Sequence, residues 1–575
     1  MDESSAQKKM NHESLSWMVS VVIPIHRPRL GDLADCLKSV EDQTYENVEI
    51  VCVDDATKDE RVSDFLRSHK WYGTQLTVLT NDQREGIASS TQRGMDVARG
   101  DFVLFLDQDD MLASSAVEKL LARSHGADVV YADETLISAD GFIGQVLVKP
   151  AFSPALLEQC NYINHPVIVR RLALNSVGAL DSSLDGAQDH DLLLRLLDEG
   201  ARFSHVAESL YFWRASPDSV ASNSKNKSWA FEASKKAIHN HLVRSGKRLD
   251  IQETERDGRF VLLSQTRNSR RVSVIIPTGG FMGAVRRRRR RYLEVCLLSL
   301  AKTEHVILDI IVVYDTRMDT GWIQSCPQVG GATMKFLPFD GEFNFSEKIN
   351  LGRREANGDL VLILNDDTEL IEPDSLEAMI SRLDEPDVGA VGAKLLYPDG
   401  TVQHGGQVLA PGPHHAFVGL PGSSSGPGEL MPLALEREVS GVTAAALMCR
   451  ASVFDEVGGF ESELPNNYND VDFCLKIRRA GYRIIWSPHA VWYHFEGKSR
   501  DARVTAKEFD EMVRRWPDAF KVDMYLYPNP SCWGLGNQVV YPRAVALLAR
   551  AVGRVVGRGP FGIAVRRLAR KALRP

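Results

Sequence analysis

One ordered set of four phrases occurs twice in this chain, and that duplication limits the folds open to it. The first copy reads VSVVIPIHRP, IVCVDDAT, ARGDFVLFLDQDDML and GAQDHDLLLRLLDEGARF. The second reads VSVIIPT, IIVVYDT, ANGDLVLILNDDTEL and NDVDFCLKIRRAGYRI. The offset is 277−24 = 253 residues at the strand proline, 367−109 = 258 at the acidic phrase and 470−189 = 281 at the last. A period this long is a whole domain and not a solenoid module. Two similar domains, each with a site of the same kind, are expected.

The alternation inside each copy sets the class. SVVIPI and VEIVCVDD are β-branched runs that read as buried strands, and DFVLFL is a third. Leu33, Leu37 and Val40 fall at helical spacing between the first two, and residues 84–99 read as a helix before the third. Strand, helix and strand in alternation predict a parallel α/β sheet. Ligands bind at the carboxyl ends of such strands, and both acidic phrases lie there. The expected organisation is a lead-in at 1–17, a first domain at 18–245 and a linker with an edge strand at 246–270. A second domain follows at 271–525. The stretch APGPHHAFVGLPGSSSGPGEL is expected to be a mobile surface loop, either a lid over the site or a plain excursion.

Residues 526–575 differ in kind. Arg543, Arg550, Arg554 and Arg558 share one helical face, and Val545, Leu548, Val552 and Val555 another. After Gly559-Pro560, Arg566, Arg567, Arg570 and Lys571 accompany Ile563, Val565 and Leu568. This is the pattern of a basic amphipathic helix on an anionic membrane; a helix docked on the protein's own core is the other reading. The net charge is −8, so no global polycation suits nucleic acid. Eight cysteines form no CxxC pair, which points to a reducing compartment. The N-terminal 18 residues show no signal peptide, and no apolar run reaches the roughly 18 residues of a membrane span. A cytoplasmic protein, peripheral on the inner face of the cytoplasmic membrane, is expected.

Asp107, Asp109 and Asp110 follow an apolar strand and are presented together. Carboxylates so close repel unless a cation joins them. Hard oxygen ligands suit magnesium or manganese, whose shells are completed by phosphate oxygens. A metal-bridged nucleotide diphosphate fits this cluster; a solvated acidic turn is the plainer alternative. Alignment puts Asn365 at Asp107 and Asp367 at Asp109, so the acid at 109 and 367 is the preferred ligand. Asp189 and Asp191, like Asp470 and Asp472, stand at the start of an apolar helix. Such an acid is either a cap or a base kept ionised by the helix dipole.

The order of these phrases resembles the family 2 inverting glycosyltransferases, which have the GT-A fold. The likeness covers nearly all of 18–528. It extends to KPAFSPALLEQCNYINH, LYFWRASPDSVA, FNFSEKINLG, VGAVGAKLLYPDGTVQHGG, EVGGFESEL and WYHFEGKSRD. The chain is similar to tandem enzymes of bacterial O-antigen, capsule and rhamnan-type polysaccharide assembly. The resemblance implies two tandem GT-A domains using a UDP-, dTDP- or GDP-sugar donor and a glycan or lipid-linked acceptor. It assigns Pro24, Asp54, Asp55, Asp107, Asp315 and Asn365 to the nucleotide sugar. It gives Asp109, Asp367 and His494 to a Mg2+ or Mn2+ ion, and Asp189 and Asp470 the role of base. Trp213 and Arg214, in LYFWR, are assigned to the acceptor.

Three departures stand out. Tyr314 replaces the acid found at Asp54. No histidine of the first copy aligns with His494, which implies a thinner metal shell there. Six arginines, Arg286 to Arg291, form an insertion expected to open a helix and grip the phosphate of a lipid-linked acceptor or an anionic membrane. The main expectation is a transferase active in both domains. The alternatives are one active domain beside an acceptor-binding or structural partner, and a non-catalytic binder of nucleotide sugar or glycan. A nucleotidyltransferase would need a Gly-rich phosphate loop, absent after SVVIPI and SVIIPT.

Overall fold

A computed structural model describes residues 17–525, apart from 69–73, 139–142, 216–227, 265–269, 287, 304, 411, 427–429, 496–503 and 522. The basic tail lies outside the described residues, so the membrane-helix expectation for Arg543 to Lys571 receives no structural account.

Each half is built on one large sheet. In the first the strand order is Gln75–Thr80, Val48–Asp54, Val19–Ile25, Phe102–Phe105, Val167–Arg170, Val129–Ser138, Phe203–Ala215 and Met111–Leu112. In the second it is Thr333–Phe339, Ile307–Asp315, Arg271–Thr278, Leu360–Leu364, Ala446–Arg450, Val388–Leu396, Arg483–His494 and Thr368–Leu370. The two orders correspond strand for strand, so the duplication in sequence is a duplication in space. The first four strands of each sheet are parallel. The fifth runs against both neighbours, so the expected all-parallel sheet is instead mixed. Helices Ala116–Arg123 and Ser375–Leu383 still follow the acidic phrases, and the reversal comes later, at Val167–Arg170 and Ala446–Arg450.

Register explains two residue choices. Pro24 lies opposite Val53 and Ile25 opposite Asp54; Pro277 lies opposite Val313 and Thr278 opposite Tyr314. Tyr314 therefore occupies the place of Asp54. The glycine in ARGD and ANGD is dictated by packing at the far end of the sheet. A Cβ on Gly100 would stand 2.6 Å from Ser20 N, and one on Gly358 2.7 Å from Ser273 N. Both glycine amides donate to those serines' hydroxyls at 2.8 Å.

Residues 246–270 are more than a linker. Leu249–Glu253 and Phe260–Ser264 pair as an antiparallel ribbon, and Phe260 and Leu262 are buried in a core shared with the first sheet. The Gly/Pro/Ser stretch is also less free than expected. Ala416 and Phe417 are buried, Val402 N donates to Leu420 O at 2.7 Å, and Lys394 Nζ donates to Gly422 O at 2.6 Å.

The halves belong to one compact unit. Its seam is the segment Lys149–His165. Ser153 and Pro154 start a short helix, Pro154–Leu157, with Ser153 Oγ accepting from Leu156 N. This helix projects into the second half. Ala155 is buried in the second half's core, and Ser153 Oγ donates to the Glu438 carboxylate. Gln159 exchanges bonds with the Glu436 backbone at 3.0 and 3.2 Å. In return Met431 and Leu435 enter the core of the first half. Beside this contact lies a buried ion network. Arg382 pairs with Glu436 at 2.6 Å and with Glu158 and Glu385 at 2.8 Å. Lys247 and Arg483 supply further cations.

Candidate active site

In the first half the strand Phe102–Phe105 delivers the acidic loop, and neighbouring elements clamp it. Gln108 accepts from His26 N at 2.8 Å and donates to His26 O at 3.0 Å. Asp110 accepts from Tyr211 Oη at 2.8 Å and from Arg214 N at 2.7 Å. The Arg214 guanidinium donates to Asp109 O at 2.9 Å and pairs with Asp35 at 3.2 Å and Asp32 at 3.6 Å. Arg214 is thus buried and engaged inside the protein, which does not fit the acceptor contact expected of it. Trp213 is half-buried, its ring edge-on to His165 at 5.2 Å.

His165 is the residue that sequence reasoning passed over. Its ring stacks on Tyr211 at 4.4 Å, and its Nδ1 lies 2.7 Å from Glu134 Oε2. Ligand atoms of Asp107, Asp110 and His165 all lie within 4.8 Å of one another. Asp109, the ligand expected from alignment, is not in that group. An imidazole fixed through its other nitrogen by a buried carboxylate is the usual support of a metal-binding histidine. Register accounts for the oversight. Thr368 pairs with His494, and the matching ladder of the first half places Trp213 there. His165 stands two residues before the strand Val167–Arg170, and extending the ladders puts it where the second half has Ala445. The first half thus has an imidazole beside its acidic loop, supplied from a different place in the fold than His494. The only signal was the phrase NYINH itself.

Electrostatics show carboxylates crowded around a charged imidazole, which offsets part of their repulsion. Burial, together with the neighbouring Asp107, pushes Asp110 up to about 8. Burial and the facing Asp189 raise Asp107. Burial opposes the charge on His165, but Glu134 overrides it and lifts the imidazole to about 9. Crowded carboxylates with raised pKa values are the state that a divalent ion relieves.

The second half shows a variant of this arrangement. His494 Nε2 lies 3.1 Å from Asp367 Oδ1 and 3.4 Å from Asn365 Nδ2, and its Nδ1 lies 2.7 Å from Gln403 Oε1. Asp367 and His494 are therefore together, as expected. Asp366, which takes the place of Gln108, is pushed up to about 7 by burial and by Asp367.

Neither Asp189 nor Asp470 occupies the N-cap position, although Asp470 Oδ1 accepts from the first-turn amide Val471 N at 2.9 Å. The N-cap positions are Ala187 and Tyr468, and neither helix has a side-chain cap. Asp189 is exposed, and its Oδ2 accepts from Asn161 Nδ2 at 2.8 Å. Asp470 Oδ2 accepts from Gln407 Nε2 at 3.0 Å and from Ala444 N at 3.3 Å. The acids two residues on are structural: Asp191 pairs with Arg195, and Asp472 with Arg515, Trp516 and Lys476.

The strand-end acids are partly committed to loop structure. Asp54 accepts from Thr57 N at 3.0 Å. Asp55 accepts from Asn81, Glu85 N and Gly86 N. Burial opposes its charge, but these donors win and lower its pKa. Asp315 lies 3.4 Å from Arg317 and 3.9 Å from the buried Lys348. Pro24 lies half-buried one residue before its strand ends. Beyond Ile25 and Asp54 a cavity of about 680 Å³ opens, lined by Arg27, Pro28, Thr57, Lys58, Asp59, Glu60 and Arg61. Its rim mixes cations with acids at the sheet edge where the alternation pattern places a ligand.

Comparison with known proteins fits this geometry. The Glycosyl transferase family 2 profile matches residues 20–181, and the Glycosyltransferase like family 2 profile matches 271–516. The chain belongs to the family 2 glycosyltransferases. An uncharacterized protein of Sinorhizobium fredii, y4gI, is 32% identical over 89% of this glycosyltransferase and 57% of its own length. The O-antigen biosynthesis protein RfbC of Myxococcus xanthus is 31% identical over 87% of this chain and 39% of its own. The chain thus spans roughly two fifths to three fifths of these relatives. A TarS fragment of S. aureus, residues 1–349 with UDP, is matched at 19% identity and TM-score 0.31, over 39% of this chain and 65% of its own. The seven cysteines among the described residues are buried and unpaired. No helix among the described residues is long and apolar enough to cross a membrane.

Proposed function

We propose that this chain is a bifunctional, metal-dependent, inverting glycosyltransferase that extends a bacterial cell-surface polysaccharide or lipid-linked glycan. One observation carries the reading. In each half a helix-start carboxylate outside the N-cap position is held by a side-chain amide, and an imidazole stands beside the acidic loop. The name of RfbC supports a place in O-antigen-type assembly. The donor is a UDP-, dTDP- or GDP-sugar. The protein works at the cytoplasmic face of the membrane, with the basic tail as its contact.

The donor sets fit magnesium or manganese: Asp107, Asp110 and His165 in the first half, Asp367 and His494 in the second, with Asp109 and Asn365 beside them. When bound, the ion neutralises the charge that grows on the departing diphosphate. Asp189 or Asp470 takes the proton of an acceptor hydroxyl. The oxygen attacks the anomeric carbon, and the bond to the nucleoside diphosphate breaks on the opposite face, so no covalent enzyme intermediate forms. Pro24, Asp54, Asp55 and Asp315 shape the loops around the nucleotide. Trp213 and Arg214 act in this reading by positioning the acidic loop.

A second reading keeps one active half and makes the other an acceptor-binding or structural partner. Tyr314 in the place of Asp54 favours it, because it removes an acid from the second nucleotide loop. Asp189→Asn and Asp470→Asn, each assayed for sugar transfer, decide between them. Two distinct partial losses support bifunctionality, while a total loss from one change and none from the other leaves a single active half. No loss from either overturns both readings.

A further inference from the structure

The six-arginine run does not open a helix. Four of the arginines, Arg288–Arg291, form the second strand of a hairpin with Met282–Val285, and the helix Tyr292–Leu300 begins after it. In the first half the corresponding connection is the short His26–Arg29; in the second it runs from Gly279 to Arg291. The hairpin is fixed at both ends. Arg286 pairs with Glu369 at 2.6 Å. Arg291 donates to Gly280 O, lies over the Trp322 ring at 5.1 Å and approaches Glu294 at 3.7 Å. Tyr292 stacks on Phe495, directly after His494, at 6.1 Å between ring centroids. The hairpin therefore stands at the rim of the second site.

Its middle is different. Arg288, Arg289 and Arg290 are exposed, and among the described residues no carboxylate pairs with them. Phe281 and Met282, at the start of the hairpin, are 38% and 46% exposed. Guanidinium groups left free beside exposed apolar side chains match the boundary between lipid headgroups and acyl chains. A nucleic acid would call for a longer basic track and has no use for the apolar flank.

We infer that the hairpin strands Met282–Val285 and Arg288–Arg291 are a docking surface for an anionic membrane, seating the mouth of the second half against the bilayer. This deepens the membrane-side placement proposed above but rests on the hairpin and not on the tail. A basic residue near an anionic leaflet contributes about fivefold to binding, so three are expected to contribute roughly a hundredfold.

The test is sedimentation of the full chain with phosphatidylglycerol-containing vesicles and with pure phosphatidylcholine vesicles. The wild type, R288Q/R289Q/R290Q and a chain ending at Tyr541 are compared. A loss of roughly a hundredfold on anionic vesicles for the triple variant, relieved by salt and absent on neutral vesicles, supports the inference. Loss confined to the truncated chain overturns it while leaving the membrane placement standing, and binding by none of the three overturns both. Inorganic diphosphate is titrated in parallel. If the triple variant loses diphosphate binding but keeps vesicle binding, the hairpin is a soluble phosphate site and the inference falls. If a short duplex DNA binds the wild type in place of vesicles, it falls as well.

Discussion

Replacing Arg382 with methionine tests whether the seam between the halves is held as the structure shows. Arg382 is 2% exposed and touches three carboxylates at 2.6–2.8 Å. After the change Glu158 keeps Lys247 and His241, and Glu385 keeps Lys247 and Arg483. Glu436 keeps only the Ser487 hydroxyl, at 2.6 Å, and no ion-pair partner among the described residues. Breaking a buried pair by deleting one partner costs about 3–5 kcal/mol. The partners that remain put the expected loss near the low end, about 3 kcal/mol. Urea unfolding followed by tryptophan emission reads it, because Trp486 and Trp492 are fully buried. Adding Glu436→Gln should restore roughly half, since the orphaned charge is removed with it. The acid limb gives a second check. Burial opposes the charge on Glu158, yet Lys247 and Arg382 hold its pKa well below the usual range. A depressed carboxylate contributes stability that is present above the unfolded value, about 4.3, and lost as pH falls through the folded one. R382M should therefore lose less stability than the wild type on acidification below about pH 4.5. A cost under about 1 kcal/mol for R382M, or an unchanged acid limb, refutes the argument.

Two further outcomes concern the first site. His165→Phe keeps a ring against Tyr211 and leaves Glu134 its Lys149 partner, 3.4 Å away. It should weaken manganese binding at one of two sites by roughly tenfold or more, read by calorimetric titration; two unaltered sites would remove His165 from the ion's shell. Asn161→Ala deletes the amide that holds Asp189. A rate loss of about fivefold, with the KM for donor unchanged, is expected at the first site. The decisive readout is a shift in the pH-rate profile, and a profile identical to wild type would show that Asn161 does not position the base.

Much of this architecture was legible because the signals are local. β-branched runs ending in acids, repeated in order, fix the strands, and register then places Tyr314 as alignment did. The acidic loops, Asp189, Asp470 and the Asp367–His494 pair also came from contiguous phrases. What escaped depends on cross-strand neighbours. That the first half's imidazole is His165, and not a residue at Trp213's ladder position, cannot be seen by aligning one copy with the other. The amides that hold Asp189 and Asp470 come from different elements, Asn161 from the loop before a strand and Gln407 from the short strand Gln407–Val408. The antiparallel fifth strand has the same apolar composition as a parallel one. The arginine run reads as a helix start, but cross-strand pairing with Met282–Val285 decided its conformation.

The segment Lys149–His165 has a consequence for how such a chain can be taken apart. Its middle is anchored in the second half through Ser153, Ala155 and Gln159, while its end presents Asn161 and His165 to the first site. The front half is therefore not an interchangeable cassette. Severed from its companion, or grafted before an unrelated partner, it would carry every one of its own reactive groups and still lack the mould that sets two of them.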